Sequence, residues 1–171
     1  MHSSEVTLVT DQDQLTATFL RTALADTLTR NHRIVLQLTA DMPEADSLVS
    51  LVEDGSHMNW LVGHLVGNRD SILALLGVGR VRPEEVDEAF GYGSKPAAEA
   101  TATLAEQVRA YDLTNVPLLA AIAALTPEQL AAPASRRTVR ERLEFLVWHE
   151  TYHLGQLMLY RRAAGLDNPI G

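Results

Sequence analysis

The sequence contains no cysteine, which excludes disulfides, iron–sulfur clusters, thiolate zinc sites and cysteine nucleophiles. Any sulfur chemistry at this chain has to use a thiol supplied by a small molecule. Basic residues are also scarce: 14 Lys and Arg stand against 22 Asp and Glu, for a formal net charge of −8 and a pI near 5.1. The densest basic group, Arg136, Arg137, Arg140 and Arg142, is diluted by Glu141 and Glu144. Binding to nucleic acid rests largely on neutralising phosphates with Lys and Arg, so neither nucleic acid nor an anionic membrane is an expected partner. No apolar run approaches the roughly 20 residues that span a bilayer. Met1 to Leu15 lack the basic start and apolar core of a signal peptide, and the expected setting is the cytoplasm. Strand signals are missing as well, with no sustained period-two alternation and no Asn-Gly or Asp-Gly hairpin between apolar runs.

What remains reads as helix. The chain of 171 residues, 46% hydrophobic and 21% charged, is expected to form a single domain over 1–171 with a core that needs no staples. From about Gln14 to Leu38, Leu24, Leu28, Val35 and Leu38 recur at helical spacing, with Phe19, Leu20 and Ile34 beside them. Pro43 ends that pattern, and a short helical turn is expected around Leu48 to Val52. A second, largely apolar and therefore central helix is expected from Ser56 to about Leu76. Gly77, Gly79, Pro83, Gly91, Gly93 and Pro96 punctuate a long crossover, with a short helix possible after Pro83. A third helix is expected from about Ala97 to Ala124, kinked or divided at Pro117. Thr126-Pro127-Glu128-Gln129 is a fresh helix start. Thr138 with Glu141 opens the last helix, which Gly165 ends near Ala164. The expected fold class is all-α, a four-helix bundle.

Two features carry chemistry. His149 and His153 stand four residues apart on the last helix, so they project from one face and can ligate one ion. Gln156 lies on the same stripe, with Trp148, Tyr152 and Leu157 beside it. Such a pair can equally be a surface or core coincidence. His64 sits mid-way along the apolar second helix, where a neutral imidazole needs hydrogen-bond partners or a metal. Gly63 beside it permits close approach of a helix or a ligand. Asn68, one turn on, faces the same side. His57, seven residues before His64, would fall on the same stripe roughly 10 Å away along a continuous helix, at a pocket mouth or in solvent. Trp60, Trp148, Tyr111 and Tyr160 read as core aromatics, with Trp60 and Tyr152 near enough to the histidines to wall a pocket.

Asn59-Trp60-x-x-Gly63-His64-Leu65 and Trp148-His149-x-x-x-His153-Leu154-Gly155-Gln156 resemble the two signature segments of the DinB/YfiT-like superfamily. The helix order, the long crossover and Thr126-Pro127-Glu128-x-Leu130 extend the resemblance over most of the chain. It implies an up-up-down-down bundle, usually a homodimer, with a divalent metal held by His64, His149 and His153; Gly155-Gln156 also match.

Three neutral imidazoles leave the ion's charge unneutralised and a coordination position open, the arrangement of catalytic rather than structural zinc. All-nitrogen ligation suits zinc or nickel, and also iron or copper. Similarity to characterised superfamily members implies a thiol S-transferase or isomerase that uses a low-molecular-weight thiol on a small electrophile. Arg69, five residues after His64, is a candidate partner for a thiol's carboxylate. A metal-dependent hydrolase is the weaker alternative: Glu150 adjoins His149 but projects about 100° away around the helix, and the spacing, taken as His-Glu-x-x-x with the second His at position five, is expected to set it apart from the glutamate of a His-Glu-x-x-His protease. The other alternative is a non-catalytic bundle, stabilised by its metal and acting through a partner.

Overall fold

The computed structural model describes residues 10–53, 55–91, 93–96 and 101–170. Its long helices are α1 (Asp11–Thr39), α3 (Met58–Leu75), α5 (Leu104–Ala123) and α7 (Val139–Ala163). Short elements fill the connections: α2 (Glu44–Ser47), α4 (Glu84–Asp87) with a 3-10 turn at Glu88–Phe90, and α6 (Pro127–Ala131). The strands β1 (Pro133–Ala134) and β2 (Arg137–Thr138) pair antiparallel.

Local sequence sets the helix starts. Thr10 with Asp13, Thr103 with Glu106, Thr126 with Gln129 and Thr138 with Glu141 form reciprocal capping boxes, each satisfying backbone N–H groups that a helix leaves open. Pro127 occupies the first turn of α6, where its missing N–H costs nothing. Gly165, at φ 76°, turns the chain out of α7.

The four long helices form the bundle, but not in the up-up-down-down order expected. Asn31 donates to Thr151, and Arg161 donates to the Leu38 carbonyl, so α1 and α7 run parallel. Asn68 reaches Leu146 while Tyr160 reaches Ser56, so α3 runs against α7. Arg21 reaches Leu125 and His32 pairs with Asp112, so α5 runs against α1. The order is up-down-down-up. Only the connection between the parallel helices α3 and α5 has to travel the length of the bundle. The other two links stay at one end each.

Several local expectations are corrected. The helical turn after Pro43 is α2, earlier than the expected Leu48–Val52, because it begins directly at the proline. The third helix starts at Leu104 rather than Ala97; residues 97–100 lie outside the described residues, and Thr101 to Thr103 are not helical. Pro117 does not divide α5: the carbonyl it leaves unpaired belongs to Leu113, a residue on the exposed face, where water can satisfy it. The β1–β2 hairpin went unforeseen, since two-residue strands are too short to show alternation. Phe19, expected beside the α1 core stripe, is 77% exposed.

The apolar core falls into two halves. One gathers Leu20, Leu28, Ile72, Leu118, Ile122 and Leu143, the other Val35, Leu38, Leu61, Leu65, Leu104 and Leu157. Between them lies a buried polar layer centred on Arg69 of α3. Arg69 donates from Nε and Nη2 to the two carboxylate oxygens of Glu150 at 2.9 Å each. Tyr111 of α5 donates to the same carboxylate at 3.0 Å, and Arg69 also reaches the Leu28 carbonyl of α1 at 3.2 Å. All four long helices therefore meet at one ion pair, fully removed from solvent.

Candidate metal centre

The three histidines converge where α3 faces α7. His149 Nε2 lies 2.9 Å from His64 Nε2 and 3.1 Å from His153 Nε2. Each ring is aimed from outside the cluster. The Phe90 carbonyl can only accept, so His64 Nδ1–H donates to it, at 2.6 Å. Gln156 Oε1 accepts from His153 Nδ1–H at 2.6 Å, with the Gln156 nitrogen donating to the Tyr152 hydroxyl. These bonds place the ring protons on Nδ1 and leave the Nε2 lone pairs of His64 and His153 directed inward. His149 Nε2 can carry one proton at most, so it cannot satisfy both lone pairs with well-directed bonds. A cation can satisfy all three. Tetrahedral zinc with bonds of about 2.0–2.1 Å would separate its nitrogen ligands by about 3.3 Å, within a few tenths of the two contacts that His149 makes. The donor set fits a divalent metal ion, and the ligating atoms of the three residues all lie within 4.8 Å of one another.

The environment keeps the rings neutral, as ligation requires. Burial lowers the pKa of His64, against the opposing bond to Phe90. Burial, then the neighbouring His64 and Arg142, lower that of His149. For His153, burial outweighs the bond to Gln156 and brings the pKa down to about 4.

Trp60 stacks on the His64 ring at 5.1 Å and 7°, and its indole N–H donates to the Ala89 carbonyl at 3.1 Å. It thereby clamps His64 against the crossover. Gly63 explains how the crossover comes so close: a Cβ there would meet the Phe90 ring at 2.5 Å. Gly63→Ala is expected to cost about 1–3 kcal/mol, as overpacking in a core does. It should also move the carbonyl that orients His64. Denaturant unfolding alongside metal affinity checks both effects, and a change in stability alone would show that Phe90 yields at its ring and not its backbone.

A cavity of about 540 Å³ opens beside the cluster, lined by His64, Asn68, Phe90, Arg142, Phe145 and His149 among others. Asn68 lines it and donates to the Leu146 carbonyl. Tyr152 packs edge-on against His153 at 5.1 Å and is not among the lining residues. His57 is neither at the cavity mouth nor solvated. It is the N-cap of α3, buried, with its ring accepting from the Trp60 N–H; the helix starts after it, so the stripe argument does not reach it. Trp148, expected in the core, is 59% exposed. Arg69 cannot meet a thiol's carboxylate, because Glu150 occupies it inside the protein.

Glu150 itself requires a correction. His149-Glu150-Thr151-Tyr152-His153 does have the His-Glu-x-x-His spacing, so spacing gives no ground for setting the motif aside. The ground is structural: both Glu150 oxygens are bound by Arg69, and Tyr111 adds a further bond. The carboxylate is directed into the bundle and away from the cavity. Phe90 was not foreseen at all, since it arrives from the crossover with no spacing signal tying it to His64.

An up-down-down-up helical bundle with three histidines gathered from its second and fourth long helices defines the class: an all-α protein with a candidate metal centre. The family model of the DinB superfamily matches residues 27–157, and the chain belongs to that superfamily. No curated protein matches the chain by sequence.

Proposed function

We propose that the protein binds one divalent metal ion, zinc or nickel, through His64, His149 and His153, and acts as a thiol S-transferase or thiol-dependent isomerase on a small electrophile. The observation that carries the reading is the convergence of three Nε2 atoms with two Nδ1 protons anchored on Phe90 and Gln156. When bound, such an ion supplies Lewis acidity and ionises a ligand at its open position.

The protein's own residues favour a thiol as that ligand. Glu150, the carboxylate that adjoins His149 in the sequence, is held by Arg69 and Tyr111 and is not available as a general base. A thiol, with a pKa of about 8.5, needs far less help to ionise than water at about 15.7. His64 and His149 open onto the cavity, so a second small molecule can approach from that side, while Trp60 covers one face of the His64 ring. The absence of cysteine means that the sulfur has to be exogenous. A cytoplasmic setting is proposed with this reading because low-molecular-weight thiols are kept reduced there.

The test is a screen of thiol and electrophile pairs with zinc- or nickel-loaded protein, comparing wild type with His153→Ala. Thiol-dependent turnover lost in the variant is the expected result. Turnover that survives in His153→Ala would move the chemistry away from the histidines.

The homodimer implied by the family resemblance is proposed as well. Trp148, Tyr152 and Leu159 share one exposed stripe of α7, at 59%, 53% and 58% exposure, and contiguous exposed apolar surface marks interaction sites. Sedimentation equilibrium reads the mass directly.

A further inference from the structure

Among the described residues, the cavity beside the histidines holds one cation that no side chain pairs with. Of the arginines around it, Arg80 and Arg82 are both paired with Asp87. Arg142 lines the cavity and makes no hydrogen bond or ion pair among the described residues. It precedes His149 by seven residues on α7, about 10 Å along the axis on the same face. Its guanidinium lies 5.6 Å from the ring centre of Phe145, three residues further on, so the side chain turns toward His149. His149 stacks on that same ring at 5.8 Å and 16°. Phe145 thus forms an apolar floor with a candidate metal ligand at one edge and a free guanidinium at the other, and Leu146 and Phe90 extend the apolar lining. Arg137 also lies over Phe145, at 5.2 Å, but does not line the cavity. The wall supplied by α4 and the turn after it is of opposite sign: Glu84 and Glu88 line it, both exposed and neither in an ion pair among the described residues.

We propose that Arg142 is a specificity residue that holds a carboxylate on the small-molecule thiol. The thiol carries that single carboxylate a few bonds from its sulfur, and Glu84 and Glu88 disfavour a second one at its far end. This rests on the metal-and-thiol reading above. An arginine presents a planar fork of donors matched to a carboxylate, and the apolar floor lowers the local dielectric, which strengthens the pairing.

The test uses cobalt-loaded protein and three probes: 2-mercaptoethanol, 3-mercaptopropionate and mercaptosuccinate. Affinity is read from the sulfur-to-cobalt charge-transfer absorption in wild type and in Arg142→Gln. Arg142 is exposed, so the variant should fold, and its cobalt spectrum without thiol checks this. In wild type, 3-mercaptopropionate should bind about three- to tenfold more tightly than 2-mercaptoethanol. That ratio should fall close to one in Arg142→Gln. Mercaptosuccinate should gain nothing over 3-mercaptopropionate. Equal affinities in wild type, or a ratio that survives in the variant, overturn the role of Arg142. Tighter binding of mercaptosuccinate overturns the restriction to one carboxylate. Cobalt uptake with no thiol absorption from any probe overturns the thiol reading itself, which separates that failure from the others.

Discussion

Glu150→Ala is expected to lower the stability of the metal-free bundle by about 3–5 kcal/mol, the cost of leaving a buried charge without its partner. Arg69 has nowhere to go: it is fully buried, and what remains to it are hydrogen bonds to Leu28, His32, Thr114 and Asn115 and the Tyr111 ring, centred 3.9 Å from its guanidinium carbon, none of them an anion. Burial by itself would pull the Arg69 guanidinium down, but the Glu150 carboxylate and Tyr111 more than offset it, and Arg69 stays cationic. Tyr111 loses its acceptor in the same substitution. Burial and the facing carboxylate raise its pKa well above the ordinary value, so it is a neutral donor that would be left unpaired. Glu150→Gln should cost less, because an amide oxygen can still accept from Tyr111 or Arg69. Arg140 and Glu144 supply the internal contrast: their pair is half-exposed at i,i+4, and breaking it should cost no more than about 0.5 kcal/mol. Urea unfolding of Glu150→Ala, Glu150→Gln and Glu144→Ala reads the order directly. A loss under about 1 kcal/mol for Glu150→Ala would mean that water reaches Arg69 and that the layer between the two core halves is not sealed.

That layer shows where sequence reading succeeds and where it stops. Long helices are legible because their information is local: Thr138 and Glu141 announce the start of α7, and the spacing of Leu24, Leu28, Val35 and Leu38 gives the buried face of α1. The His149 and His153 pair is legible for the same reason, as is the singular position of His64. Helix direction is not local. Nothing within α1 or α3 says whether the link between them crosses the bundle or stays at one end, and the expected order failed there. The role of Arg69 depends on a partner 81 residues away, so its sequence context suggests only a charge near His64. Phe90 is equally remote, and only the close approach permitted by Gly63 hints that something must fill that space. Glu150 was within reach, because the His-Glu-x-x-His letters single it out. Only the structure shows that this carboxylate serves the fold.

Metal content is expected to be about one equivalent per chain in wild type after reconstitution with zinc or nickel, and close to none in His64→Ala or His149→Ala. Among the described residues His64 is the sole candidate ligand from α3, so its loss leaves an i,i+4 pair that cannot close the site. His149 stands between the other two rings, and its removal leaves His64 and His153 without the shared neighbour. Either loss should exceed the 10–100-fold typical of an outer-shell partner such as Gln156. Acidity gives a second handle on the same residues. An unfolded histidine titrates near 6.5, whereas His153 in the fold is held down to about 4, and His64 and His149 are lowered in the same direction. Between those values the unfolded chain binds protons that the native chain does not, so apo-protein stability is full above about 6.5 and falls as pH drops toward 4. A metal binds only the neutral rings, so it should hold the native state to lower pH than the apo protein reaches, and His64→Ala should abolish that extension. Unfolding curves at pH 7 and pH 5, with and without zinc, test this together with elemental analysis. Zinc that stabilises wild type and His64→Ala alike would be bound elsewhere on the chain. Zinc that does neither would leave the bundle intact and assign the three histidines to packing.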